Sequence, residues 1–138
     1  RNSSSAASDV YKRQALLLKN FSKKLDKNKF SVFVNLSARV GSITDNRLGG
    51  WISYRSSKAA LNQIIKTSSI EINRRNKNAI CVGLHPGTVK TKFTEKFQNT
   101  TKTISPKESV EMMMKVVENL SVDDNGYCFA YDGKVIPA

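Results

Sequence analysis

The chain alternates between helical periodicity and short apolar segments, and this alternation narrows the possible folds more than any other feature. Three apolar segments, rich in β-branched and aromatic residues, have the composition of buried strands: FSVFVNL (30–36), AICVGL (79–84) and YCFAY (127–131). Before each segment, apolar residues recur every three or four positions, in stretches that begin near Ala15, Tyr54 and Pro106. The order helix, strand, helix, strand, helix, strand predicts βαβ units, whose right-handed crossovers generate a parallel sheet.

The first fourteen residues, RNSSSAASDVYKRQ, differ in composition from the rest of the chain. They are small, polar and without periodicity, so we expect no folded element in 1–14 and assign the folded domain to 15–138. This leader has the character of translated cloning or adaptor sequence, and a native disordered arm is the alternative. The first helix is accordingly expected to begin at Ala15.

The composition is that of one globular domain. The 138 residues are 39% hydrophobic and 25% charged, which supplies a core and exceeds the apolar content of disordered chains. No apolar run approaches the roughly 20 residues that span a bilayer, so no membrane association is expected. The net charge of +12 would by itself suggest anionic partners. Because many of the lysines adjoin asparagines in polar turns, we nevertheless expect no binding to nucleic acid.

The cysteines and the histidine indicate neither a disulfide framework nor a metal site. Cys81 and Cys128 lie inside apolar segments, where a free thiol behaves as a small hydrophobic group. A reducing, cytoplasmic environment is therefore expected. His85 is the only histidine and has no Cys or His at ligand spacing, so no bound metal is expected.

Tyr54 and Lys58 are the strongest candidates for catalytic residues. Residues four apart share one face of a helix, and these two open the second predicted helix. An ammonium beside a phenol favours the phenolate, so we expect Lys58 to lower the pKa of Tyr54 and make it a usable acid or base. The spacing alone is common, and the alternative is an aromatic residue at a helix start followed by a solvated lysine.

Two further segments are expected to meet this pair. NLSARVGS (35–42) follows the first predicted strand, and LHPGTVKT (84–91) follows the second. In a doubly wound sheet, ligands bind in the crevice at the carboxyl ends of the strands. All three segments are therefore expected at one edge of the sheet.

These three motifs, in this order, resemble the C-terminal half of a short-chain dehydrogenase/reductase. The segment TDNRLGGW and the ending YDGKVIPA look most like the branch that contains the C-factor and the Sniffer-like carbonyl reductases. The resemblance covers Ala15 to Ala138. It implies a Rossmann-like, doubly wound parallel sheet, of which this chain holds about three strands and three helices, and hydride transfer between NAD(P)(H) and a carbonyl or alcohol substrate.

The resemblance also implies roles for individual residues. Tyr54 is the expected general acid, or the base in the reverse oxidation, and Lys58 is expected to lower its pKa and to bind the nicotinamide ribose. Asn35 is expected to support the backbone of the site. The expected nicotinamide contacts are Pro86, Gly87, Thr88 and Val89, with Thr91 adding a hydroxyl near the cofactor.

One departure from the family pattern concerns the serine that polarises the substrate carbonyl. The family has a second serine directly after the position of Ser37, and here that position is Ala38. Ser37 and Ser42 are the candidates for this role. Ser42 is preferred, because alternation along the strand would turn Ser37 to the other face.

A second departure is the size of the chain. Complete members begin with a glycine-rich strand, turn and helix that hold the cofactor pyrophosphate, and this sequence has none. We therefore expect a fragment that is inactive and poorly stable alone. The residues that choose between NAD and NADP belong to the same missing half, and the resemblance itself favours NADP. The resemblance also implies a homodimer or homotetramer for the full-length protein.

Several interpretations stay open at this point. Ala38 permits a catalytically weak signalling or nucleotide-sensing protein on the same scaffold, and the charge permits a small basic binding module. The loop Lys92–Thr103 is expected to cover the substrate. Trp51 either caps the substrate site or packs within its own loop.

Overall fold

The computed structural model describes residues 3–91 and 103–138. Its helices are α1 (Ser3–Phe21), α2 (Ile52–Arg75) and α3 (Pro106–Glu118), and its strands are β1 (Ser31–Leu36), β2 (Ala79–His85), β3 (Cys128–Ala130) and β4 (Val135–Ile136). Short 3-10 turns lie at Ser22–Lys24, Arg39–Gly41 and Val122–Asp124. None of the helices in the described ranges is both long and apolar enough to cross a membrane.

The four strands form one sheet in the order β1-β2-β3-β4. β1, β2 and β3 are parallel, with Leu36 opposite Leu84 and His85 opposite Ala130. The short β4 runs antiparallel to β3. Since β1 and β2 end together, the segments that follow them emerge at the same edge of the sheet, which we call the carboxyl edge.

Helices cover both faces of the sheet, as the predicted doubly wound fold requires. On one face, α1 and α2 pack against the sheet through a core cluster of Leu18, Leu61, Ile65, Ile72, Ala79 and Cys81. On the other face, α3 covers a cluster of Ile80, Val82, Leu84 and Phe129. Adjacent residues of β2 thus enter opposite clusters, which explains why its sequence is apolar without interruption.

Apart from the start of α1, the predicted elements are confirmed, with small shifts at their ends. β1 begins one residue later than predicted, and α2 begins at Ile52 rather than Tyr54. α3 starts with the predicted capping box, in which the backbone N–H of Glu108 donates to Ser105 Oγ and the backbone N–H of Ser105 donates to Glu108 Oε2. Pro106 follows at the first helical position, where its missing N–H costs nothing.

The expectation that 1–14 contain no folded element is wrong for residues 3–14, because α1 extends back to Ser3. Tyr11 packs against the same core cluster as Leu18, and Gln14 Nε2 lies 3.4 Å from the carbonyl oxygen of Leu36, to which it donates. Residues 11, 14 and 18 share one helix face. Contacts with the sheet therefore select the helical conformation that the local composition did not indicate.

β4 was not anticipated, since the residues after the third strand read as a polar end. Gly133 has φ +84°, which lets the chain reverse within the segment Asp132–Lys134. The backbone N–H of Ala130 then donates to the carbonyl of Lys134 at 2.8 Å. The turn leaves only two residues in β4, too few to show a strand period in the sequence.

Candidate active site

Tyr54 and Lys58 lie in the first two turns of α2, at the carboxyl edge of the sheet. Lys58 Nζ donates to the carbonyl oxygen of Leu36, the last residue of β1, across 3.4 Å. The same ammonium lies 5.9 Å from the centroid of the Tyr54 ring. The helix thus holds both predicted catalytic side chains beside the end of β1.

The direction of the Tyr54 pKa shift differs from the sequence-based expectation. Burial raises the pKa of the Tyr54 phenol and lowers the pKa of the Lys58 ammonium. The net shift of the Tyr54 pKa is therefore upward, opposite to the expected lowering. The physical reason is that the ammonium faces the ring and bonds a backbone carbonyl, so desolvation of the phenol dominates.

Gly41 allows α2 to approach the turn after β1 closely. A methyl group on Gly41 would lie 2.7 Å from the carbonyl carbon of Lys58 and 2.9 Å from Asn62 Nδ2. No side chain fits in that space. The absence of a side chain at Gly41 therefore sets the distance between the helix that carries Lys58 and the end of β1.

Asn62 is a site-supporting residue that the sequence reasoning missed. Its Oδ1 accepts a 2.5 Å hydrogen bond from Ser37 Oγ and lies 3.5 Å from Cys128 Sγ. These contacts connect α2 to the residue after β1 and to the first residue of β3. The available signal was its position four residues after Lys58, on the same helix face.

Neither candidate serine is free to act on a substrate in this structure. Ser37 is buried, and its hydroxyl donates to Asn62. Ser42 is also buried: its Oγ donates to the backbone oxygen of Ala138 at 3.3 Å and accepts from the backbone N–H of Asp45 at 3.0 Å. The preference for Ser42 as the carbonyl-polarising residue is therefore not supported, because its hydroxyl is used to hold the loop that follows the 3-10 turn.

Asn35 is enclosed between two strands. Its Nδ2 donates to the carbonyl of Val82 and contacts Cys81 Sγ, each at 3.4 Å. The side chain is buried. Asn35 thus connects the end of β1 to the β2 backbone.

The turn after β2 carries the predicted nicotinamide contacts. Gly87 has φ +79°, and a methyl group there would lie 2.8 Å from Cδ1 of Tyr131 and 3.1 Å from Cδ1 of Ile104. The carbonyl of Pro86 accepts a 2.7 Å hydrogen bond from the buried Ser109 Oγ of α3. Glycine is thus required at this position, and the turn is fixed to the helix that covers the sheet.

Thr88 and Val89 follow this turn and lie beside Ile104, in the next described segment. Val89 forms a parallel bridge with Ile104, in which the Thr88 carbonyl accepts from the Ile104 N–H at 3.0 Å. Thr91 is exposed at the end of this stretch. Most of the loop expected to cover the substrate, residues 92–102, lies outside the described residues.

His85 ends β2 at the same edge of the sheet. Its Nδ1 is buried without a hydrogen-bond partner. Burial, together with the positive charges of Arg39 and Lys58, lowers the pKa of His85 to about 4, against a smaller opposing effect of Asp132. The imidazole is therefore neutral at physiological pH and carries one unsatisfied buried nitrogen.

Several known proteins that are similar to this chain are oxidoreductases, although no family model matches the sequence. An uncharacterized oxidoreductase of Schizosaccharomyces pombe is 36% identical over 134 residues, which cover 88% of this chain and 52% of the relative. The C-signal protein of Myxococcus xanthus is 33% identical over 75% of this chain and 58% of its own length. The chain thus spans about half the length of the curated relatives it matches.

Solved structures agree with these relatives. The NADPH-bound carbonyl reductase from chicken fatty liver has a TM-score of 0.65 at 38% identity, covering 78% of this chain and 42% of its own. The carbonyl reductase Sniffer of Drosophila melanogaster has a TM-score of 0.72 at 29% identity, covering 89% and 49%. A short-chain dehydrogenase/reductase from Burkholderia multivorans with bound NADP shares the fold, with a TM-score of 0.69 at 23% identity and coverages of 88% and 49%.

Proposed function

Because the chain belongs to the short-chain dehydrogenase/reductase family, we propose that it supplies the proton-transfer half of an enzyme that moves hydride between NAD(P)(H) and a carbonyl or alcohol. The observation that carries the proposal is the placement of Tyr54 and Lys58 in the first two turns of α2, beside the ends of two parallel strands. Ligands of open α/β sheets bind at this edge.

Tyr54 is the proton donor in the reductive direction. Because burial raises its pKa, the phenol is protonated at neutral pH and holds a proton for the oxygen of an incoming carbonyl. When hydride adds to the carbonyl carbon, the C=O π electrons move to oxygen, and that oxygen takes the proton from Tyr54 Oη. In the oxidative direction, the phenolate accepts the proton of the alcohol.

Lys58 acts on Tyr54 through charge. Its ammonium faces the Tyr54 ring, so it stabilises the phenolate that remains after proton transfer more than it stabilises the neutral phenol. The hydrogen bond to the Leu36 carbonyl keeps the lysine side chain at the carboxyl edge. The further role of Lys58, binding the nicotinamide ribose, is assigned from the family resemblance.

The residues at the edge fit the nicotinamide end of a cofactor. His85 Nδ1, at the same edge, is a buried ring nitrogen without a hydrogen-bond partner in the described residues. Pro86, Gly87, Thr88 and Val89 would line the ring, and Thr91 would add a hydroxyl. The bound cofactor would supply the hydride. The carbonyl reductase from chicken fatty liver was solved with NADPH, which favours NADP over NAD.

We assign the carbonyl contact to Tyr54 without a serine. The hydroxyls of Ser37 and Ser42 are used within the fold, and the family's serine position is Ala38. A single donor predicts slower turnover than in members with the serine. This departure also favours a second candidate function, a nucleotide-sensing or signalling protein on the same scaffold, which would bind the cofactor without turnover.

The experiment that tests the proposal compares two tyrosines in the full-length protein. Tyr54→Phe is expected to lower kcat for a ketone by about 100-fold or more, with little change in cofactor affinity. Tyr127→Phe is the matched control, because the Lys66 ammonium likewise lies over the Tyr127 ring, at 5.6 Å. Cofactor binding without turnover in the wild-type protein would favour the sensing function, and equal losses in both variants would contradict the assignment of Tyr54.

The cellular setting and assembly follow from the same proposal. Both cysteines are free thiols, which supports a reducing, cytoplasmic location. The partner is a small carbonyl or alcohol rather than nucleic acid or membrane. The family resemblance supports a homodimer or homotetramer of the full-length protein.

A further inference from the structure

One backbone oxygen late in the chain binds the loop that leads into α2. The backbone oxygen of Ala138 accepts from the Thr44 N–H at 2.9 Å and from Ser42 Oγ at 3.3 Å, and Thr44 Oγ1 also donates to it. These contacts join residues that are 94 and 96 positions apart in the sequence. We call Ser42, Thr44 and Ala138 the Ala138 clamp.

The sheet fixes the position of the acceptor in this clamp. Ile136 of β4 is buried and lies opposite Cys128 of β3. Pro137 is the one residue between Ile136 and Ala138, and its ring restricts the backbone torsion φ. The oxygen of Ala138 therefore has little freedom to move relative to the sheet.

The loop is stiffened by further bonds on both sides of Thr44. The backbone N–H of Asp45 donates to Ser42 Oγ at 3.0 Å, so this hydroxyl takes part in the clamp and in the turn that follows it. The carboxylate of Asp45 pairs with Arg39 at 2.9 Å. Thr44 is thus held in a bonded turn, and a shift of the clamp would move the loop as a unit.

The far end of the loop is bonded to the first turn of α2. Arg55 Nε donates to the carbonyls of Gly49 and Gly50, at 3.1 and 3.0 Å, and the Arg55 N–H donates to the carbonyl of Trp51 at 2.9 Å. Arg55 directly follows Tyr54. The loop therefore connects the clamp to the helical turn that carries Tyr54.

The hairpin of β3 and β4 also contacts α2 beyond Lys58. Cys128 Sγ, at the start of β3, lies 3.5 Å from Asn62 Oδ1. The hairpin thus contacts the chain before Tyr54, through the Ala138 clamp, and after Lys58, through Cys128. The two predicted catalytic residues lie between these two contacts.

We propose that the Ala138 clamp positions Tyr54 and Lys58 for proton transfer, which makes Ser42 and Thr44 positioning residues of the reaction. This inference rests on the proposed function, because it takes Tyr54 as the proton donor. Proton transfer from a phenol to a carbonyl oxygen requires a close and aligned approach, and a displacement of about 1 Å can cost about 100-fold in rate. The clamp therefore acts on the rate through the position of α2, without touching the substrate.

The first test removes one donor of the clamp in the full-length protein. Thr44→Val keeps the side-chain shape and loses the hydroxyl, and we expect kcat for reduction of benzaldehyde or diacetyl by NADPH to fall by about 10-fold. Thr44→Ser restores the hydroxyl and is expected to keep kcat within about twofold of the wild type. A hydroxyl that serves stability alone would leave kcat of the folded protein unchanged.

Thr67→Val is the matched control for this substitution. Thr67 lies farther along α2, where its Oγ1 accepts from Gln63 Nε2 at 3.3 Å. The same chemical change there is expected to keep kcat within about twofold of the wild type. An equal loss of kcat in Thr44→Val and Thr67→Val would overturn the clamp.

Pro137→Gly tests the clamp from the side of the acceptor. It loosens the residue that carries Ala138 and changes nothing in the loop, so we expect kcat to fall as in Thr44→Val. Turnover that requires Tyr54 but is unchanged in both variants would overturn the clamp and leave the proposed function intact.

Amide hydrogen exchange tests the clamp without relying on turnover. In Thr44→Val, exchange in residues 52–58 is expected to be faster than in the wild type by about threefold or more, while exchange in residues 66–75 is unchanged. This result in a protein without turnover would support the clamp and contradict the proposed function. Exchange equal to that of the wild type would overturn the clamp, whatever the turnover.

Discussion

Ser37 Oγ lies 2.5 Å from Asn62 Oδ1, in a hydrogen bond that joins the end of β1 to α2 one turn beyond Lys58. Ser37→Ala removes the donor and leaves the amide oxygen with only the long contact from the Cys128 thiol. We expect the free energy of unfolding to fall by about 1–3 kcal/mol and kcat to change by less than about threefold. Denaturant titration and turnover of the same preparation measure the two effects.

The comparison variant for Ser37 is Asn62→Ala, which leaves the serine hydroxyl without its acceptor. It is expected to destabilise the protein by a similar amount, and the double variant is expected to lose less than the sum, because both changes break one interaction. A large loss of kcat in Ser37→Ala with unchanged stability would instead identify Ser37 as a catalytic residue.

Ala38→Ser tests the single-donor assignment. Ala38 has extended backbone angles (φ −151°, ψ 144°), which serine adopts without strain. Since the family resemblance puts a carbonyl-polarising hydroxyl at this position, we expect kcat to rise by about 10-fold or more. Because Ala38 is buried, the added hydroxyl is expected to lower the free energy of unfolding by about 1 kcal/mol. Ala38→Cys controls for side-chain size with a weaker donor. Equal kcat in the wild-type and serine proteins would mean that another group already polarises the carbonyl.

The sequence was sufficient for the features that depend on local pattern. The spacing of Tyr54 and Lys58 placed both on one helix face, and the apolar segments gave the three parallel strands. It was insufficient where distant partners decide the outcome. Ser42 is held by Ala138, 96 residues away, and Ser37 by Asn62, so their roles depended on contacts that strand alternation does not encode. The direction of the Tyr54 pKa shift likewise depended on burial by the fold.

Gly41→Ala tests the close approach of α2 to the end of β1. The added methyl group would lie 2.7 and 2.8 Å from the carbonyl carbon and oxygen of Lys58, and backbone atoms there have no room to yield. We expect a loss of about 3 kcal/mol in unfolding free energy, together with lower kcat as Lys58 moves. Thermal or denaturant unfolding and kinetics of the full-length protein measure these effects.

Gly49→Ala provides the contrast to Gly41→Ala. Nothing lies within 4 Å of a methyl group at Gly49, but its φ of +64° is unfavourable for alanine. This substitution is therefore expected to lower the free energy of unfolding by only about 1 kcal/mol, from backbone conformation alone. Equal losses of unfolding free energy in the two variants would show that Gly41 is not needed for the close approach of α2 to the end of β1.

His85 predicts how stability depends on pH. Its pKa of about 4 in the folded protein lies below the value near 6.5 of an unfolded chain, so the unfolded state binds the proton more tightly. This contribution to stability is fully present above about pH 6.5 and is lost as the pH falls toward 4. Because the side chain is partly exposed, we expect a loss of about 2 kcal/mol, below the roughly 3 kcal/mol that the full shift implies.

His85→Gln removes the titrating group and keeps a polar side chain of similar length. Urea unfolding of both proteins at pH 7.5, 6.5, 5.5 and 4.5 gives the stability difference at each pH. The carboxylates titrate in both proteins and largely cancel in that difference, so the wild type is expected to lose its advantage over His85→Gln on acidification. A difference that stays constant with pH would mean that His85 is solvated and titrates normally. The buried nitrogen offered to the cofactor would then not exist.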